Sequence, residues 1–162
     1  MTATLTESNS NYIANTLPEN WERKKQTEYD EFDLMVDAYE TGKKDGREEF
    51  ANIIREKLQN NINKAAECSE YLLKTLQKSY KIKPSDLYLK YTSPTKLEAL
   101  FVVPKKSFIS DDFSEVYKFC REYKSSINDD TFHLSFIFMP SSRHINRELI
   151  VCDGFSLKYD KK

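Results

Sequence analysis

The sequence predicts an α+β protein, in which a long N-terminal helical arm precedes a small mixed β-sheet domain of order β-β-α-β-β-β with one crossover helix. Three observations predict it. Residues 19–80 contain no proline, and apolar side chains recur there at spacings of three and four among dense Glu and Lys. Beyond Pro84 the apolar period shortens to two. Only three glycines occur in 162 residues, and they never cluster at a strand-to-helix turn, as a phosphate-cradling loop requires.

Residues 1–18 are rich in Thr, Ser and Asn and are expected to form a disordered tail. Residues 19–81 form the predicted arm. Its stripe runs through Phe32, Met35, Tyr39, Gly42, Gly46, Phe50, Ile54 and Leu58, and continues through Ala65, Cys68, Leu72 and Leu76. Two readings are open at the glycines. Gly42 can cap one helix while Asp45 and Glu48 start a second as a capping box, giving a helical hairpin. Alternatively one helix continues, each interior glycine costing about 1 kcal/mol and opening room for a close neighbour. A continuous helix over residues 31–80 would be about 75 Å long, against a radius of gyration of about 15 Å for a compact domain of this length. Its stripe would then need a second chain, which predicts a homo-oligomer joined through a coiled coil of the arms.

The α+β domain is assigned to residues 82–162. Leu87, Leu89 and Tyr91 share one strand face, Ser93-Pro94 reads as a turn, and 97–103 is a second strand closed by Pro104, together a hairpin. Asp112 and Glu115 have capping-box spacing before a helix that ends near Lys124, with Phe113, Val116, Tyr117, Cys120 and Tyr123 on one face. That helix is expected to cross over to a strand at 132–139 with right-handed connectivity. Two further strands, 148–152 and 155–159, are predicted around Asp153-Gly154, which has the composition of a type I′ turn.

The bulk numbers restrict function more than they define it. A formal net charge of −1 and a pI near 6.2 give no general attraction to nucleic acid or anionic membrane. No run approaches the roughly 20 apolar residues of a membrane span. Residues 1–20 have neither the basic start nor the apolar run of a signal peptide. Cys68, Cys120 and Cys152 are widely spaced, with no C-x-x-C pair. A cytoplasmic protein without cofactor or structural metal is the expectation.

Chemistry-bearing residues are few. His144 and Arg143 share a loop after the 132–139 strand, and Tyr88 and Lys90 share a strand face, so these four define a candidate ligand surface. His144 and Cys152 could pair as base and nucleophile, although Cys152, at the end of an apolar run, reads as a packed small side chain. His133, His144, Cys152 and Asp153 carry donor atoms without metal-ligand spacing. The segment 92–103 is similar in texture to the turn and strand of a nucleotidyltransferase, but it lacks the Gly-Ser motif and offers Lys96 and Glu98 where two carboxylates should stand. Residues 28–40 form an acidic amphipathic stretch suited to a basic protein partner. The functional expectation is a non-enzymatic interaction or regulatory protein that self-associates through its N-terminal helices and recognises a partner with its α+β domain. The alternative is an enzyme or nucleic-acid handler, such as a degenerate nucleotidyltransferase, with its site on the C-terminal sheet.

Overall fold

The computed structural model describes residues 17–24 and 47–160. In chain order the elements are β1 (Trp21–Arg23), α1 (Arg47–Ser79), β2 (Asp86–Ser93), β3 (Lys96–Val103), α2 (Lys105–Phe108), α3 (Phe113–Ile127), β4 (His133–Pro140), α4 (Arg147–Cys152) and β5 (Leu157–Tyr159). The strands form one sheet in the order β1-β5-β2-β3-β4. Its β3–β4 pair is parallel and the other pairs are antiparallel, which makes the protein α+β with a mixed sheet. The expectations for Phe32, Met35, Tyr39, Gly42, Gly46 and the acidic stretch 28–40 lie outside the described residues.

Helix α1 is amphipathic by spacing, and its ends suit its dipole, with Glu48 and Glu49 in the first turn and Lys78 in the last. Its 33 residues span about 50 Å. Leu58, Ile62, Ala65, Leu72 and Leu76 on its inner face are all fully buried. They join Leu87, Leu89, Leu97, Phe101 and Leu134 from one face of the sheet in a single core, shared with Phe113, Val116 and Cys120 of α3. Leu58, expected to meet a second chain, therefore packs within its own. The sheet itself supplies what an arm would have had to find in a partner. Polar bonds fix the same contact: the buried Asn61 amide donates to the carbonyls of Pro94 (2.7 Å) and Thr131 (3.0 Å), and the Tyr123 hydroxyl donates to the Cys68 carbonyl at 3.4 Å.

The hairpin expected over 87–103 is β2–β3, with Tyr88 opposite Leu100 and Lys90 opposite Glu98. The expected crossover is also present, through α2 and α3 into the parallel neighbour β4. The predicted capping box is absent, because Asp112 is itself in the helical region and makes no side-chain cap bond. The carbonyls of Ser110 and Asp111 accept the first N–H groups of the turn instead.

Three expectations are corrected. Trp21–Arg23, placed in the helical arm, is a strand paired with β5. Its indole is buried, donates to Glu70 Oε1 at 2.9 Å and meets Tyr159 edge-on at 5.6 Å, so tertiary burial overrides a local helical pattern. Leu17, assigned to the tail, packs against the main core. The strand predicted at 148–152 is helix α4, so the last hairpin does not form and β5 pairs with β1 and β2. Among the described residues, no helix is long and apolar enough to cross a membrane.

Candidate functional site

The face of the sheet away from α1 and α3 is built from the alternate residues of the same strands. Tyr88 of β2 and Leu100 and Val102 of β3 form its apolar centre, and Ile150 and Phe155 close over them as a second, smaller core. Met139, Ile145 and Val151 pack at its margin. What brings Ile150 and Phe155 there is the capping of α4. At its start the Asn146 side-chain oxygen accepts from the N–H groups of Glu148 (3.0 Å) and Leu149 (3.4 Å).

At its end Gly154 adopts φ 100°. The Gly154 N–H returns to the Val151 carbonyl and the Phe155 N–H to the Ile150 carbonyl, the double bond of a Schellman stop with its apolar Ile150–Phe155 contact. Asp153-Gly154 thus ends a helix rather than turning a hairpin. Gly154→Ala is expected to cost about 1–2 kcal/mol, because a Cβ penalises this positive φ. Urea unfolding reads the loss.

A charged bond holds α4 to the sheet. The nearly buried Asp86 carboxylate accepts from Arg147 Nη2 at 3.2 Å and lies 3.8 Å from Lys158 Nζ. The hydrogen bond to Asp86 raises the Arg147 guanidinium above its ordinary value. Burial, with a smaller push from the Asp86 carboxylate, raises the Tyr88 phenol. Tyr88 therefore stays protonated at neutral pH and serves as a packed body under α4.

Beside α4 the surface opens into a groove of about 470 Å³. Leu100, Met139, Ile145, Ile150 and Phe155 supply its apolar lining, with Leu149, 59% exposed, at the lip. Ser142, His144, Asn146 and Asp153 supply the polar rim. The groove is open on its outer side rather than enclosed.

Of the four residues expected to form a ligand surface, only His144 is among those that line the groove, while Tyr88 and Lys90 lie next to residues that do. His144 lines the groove, Lys90 holds its ammonium 5.6 Å from the centre of the Phe155 ring, and Tyr88 is 1% exposed beneath. Arg143 is exposed and is not one of the lining residues. Cys152, expected to be packed, is exposed, because a helical turn rather than strand alternation sets its direction. His133 is exposed at the start of β4. Among the described residues, no group of three His, Cys, Asp or Glu side chains is placed to hold a metal ion. At the start of α1, Phe50 and Ile54 keep accessible surface while Leu58 does not.

Leu149, Ile150 and Phe155, which shape the groove, were not singled out by sequence reasoning. The signal that finds them is the pair of caps, Asn146 before the apolar run and Gly154 after it. Comparison with protein-family models, curated proteins and solved structures finds no match to this chain.

Proposed function

We propose that this chain is a non-enzymatic interaction or regulatory protein whose C-terminal α+β domain takes a partner in the α4 groove. The observation that carries the reading is the groove itself, an apolar trough with a polar rim of His144, Asn146 and Asp153 and with Leu149 exposed at its edge. An open trough of this kind suits a protein segment that inserts one apolar anchor and leaves its backbone for the rim. Self-contact near Phe50 and Ile54 at the start of α1 is retained as a separate part of the proposal.

The test selects random peptides on the immobilised full chain. Peptides sharing a large apolar anchor are expected to emerge. Leu149→Glu should weaken them at least about tenfold, 1.4 kcal/mol, and Arg121→Glu on exposed α3 should leave them unchanged. Peptides that bind the Leu149→Glu chain as well as the original would overturn the reading. So would a thermal shift with nucleotides, divalent cations or short oligonucleotides, which would favour an enzyme or nucleic-acid handler instead.

A further inference from the structure

Strand β4 is an edge of the sheet, and its hydrogen-bonding groups can be accounted for one by one. The His133 N–H donates to the Thr95 carbonyl and the Ser141 N–H to the Val103 carbonyl, so the odd-numbered residues of β4 face β3 and the even-numbered ones face outward. The first outward positions are already closed. The Phe132 carbonyl accepts from the Asp129 N–H at 2.9 Å. The Asn128 side chain takes both groups of Leu134, accepting from its N–H at 2.8 Å and donating to its carbonyl at 3.0 Å. At the far end Pro140 has no N–H to offer. The open window is therefore Phe136 and Phe138, with two donors and two acceptors that no described residue satisfies.

We infer that this window pairs with its counterpart in a second copy of the chain, joining two five-stranded sheets edge to edge. A two-fold axis through Ile137 places Phe136 opposite Phe138 of the second copy and the reverse, so all four open groups find partners. Other two-fold registers do worse. Centring on Phe136 brings Phe138 against a Leu134 already occupied by Asn128, and centring on Phe138 brings Phe136 against a proline without a donor. The edge is thus self-complementary in one register, as an isologous interface requires.

The side chains agree with the backbone. The strand HLSFIFMP carries no Asp, Glu, Lys or Arg, so two copies meet without like-charge repulsion, whereas edges meant to stay single are commonly guarded by such charges. Apolar surface flanks the window. Ile137 is 38% exposed on one face, and Tyr117, 46% exposed, packs edge-on against Phe138 on the other. Ile109, 70% exposed, follows directly after α2, which lies against β4. The backbone groups of Phe136 and Phe138 that pair here take no part in the α4 groove, and the two surfaces meet at Met139, which lines the groove and stands opposite Ser135 of the second copy.

In the inferred register Ile137 faces Ile137 of the second copy as a non-hydrogen-bonded pair, with Cα atoms about 4.5 Å apart. That separation is within disulfide reach. The test follows the full chain by sedimentation up to about 100 μM, a range that includes weak association. The expected result is a dimer. Ile137→Lys, at an exposed position, should weaken it at least about tenfold by setting two ammonium groups opposite each other, with circular dichroism unchanged.

In a Cys152→Ser background, Ile137→Cys should cross-link as a covalent dimer on mild oxidation. Ser135→Cys, which faces Met139 of the second copy, should not. A chain that is monomeric throughout this range overturns the inference. A dimer that survives Ile137→Lys and fails to cross-link through Ile137→Cys also overturns it, and would point to the start of α1.

Discussion

Leu58→Ala is expected to destabilise the folded chain by about 2–5 kcal/mol, the cost of emptying a fully packed leucine site. Leu58 is 0% exposed and belongs to the core that α1 shares with the sheet. Urea unfolding in the Ile137→Lys background, in which the inferred edge pairing is weakened, isolates the contact. The midpoint should fall with an unchanged slope and should not depend on protein concentration. A helix stripe buried by a second chain gives the opposite pattern, a midpoint that rises with concentration and a substitution that acts first on assembly. Such a result would return Leu58 to the intermolecular surface predicted from sequence.

That contrast marks where the sequence stops being informative. The apolar period of α1 from Leu58 to Leu76 was legible, and so were the β2–β3 hairpin and the α3 crossover, because each rests on a local repeat that tertiary packing then uses. Ahead of Leu58 the stripe was read through Phe50 and Ile54, whereas the structure buries Ala51. What the stripe packs against was not legible. Periodicity states that a face must be buried and is silent on whether the cover comes from the same chain. β1 escaped for a related reason: three residues carry no period, and Trp21 is held in place by Glu70 and Tyr159, which are 49 and 138 positions away.

Helix α4 shows two local signals in conflict. The run Leu149, Ile150 and Val151 ahead of Asp-Gly resembles a strand entering a tight turn by composition. The same segment begins with Asn146 as an N-cap and ends with Gly154 as a C-terminal stop, and the caps prevail. They do so because six helical residues set Ile150 and Phe155 on the second face of the sheet, which the hairpin would have left bare. The candidate site follows from that choice. His144 was visible as a residue with chemistry, but the groove it lines, beside Ile150 and Phe155, exists only once α4 is a helix.

The β4 edge was beyond sequence reading altogether. Nothing in Asn128 announces that its amide will close the outer groups of a residue six positions on. The accounting that isolates Phe136 and Phe138 needs the register of β3 against β4. Pro140 alone carried a sequence-level message, as the residue that ends the strand.

Phe101→Ala is expected to have the largest effect, about 3–5 kcal/mol, a large share of the 5–15 kcal/mol that usually holds a domain of this size. β3 lies between β2 and β4, and Phe101 stands opposite Leu87 on one side and Phe138 on the other. Its ring is fully buried and lies 5.5 Å from that of Phe138 and 6.3 Å from that of Phe136. Truncation leaves a cavity under the two residues whose backbones form the open edge, with Phe113 and Tyr117 of α3 packed edge-on to Phe138 above it. Two effects should therefore appear together: a lower urea midpoint, and a weaker dimer in sedimentation under conditions where the variant is still folded. Phe101→Leu, which refills most of the volume, should recover much of both. A loss below about 2 kcal/mol would contradict the packing, while a full loss of stability with an unaltered dimer would separate the β4 edge from the core that supports it.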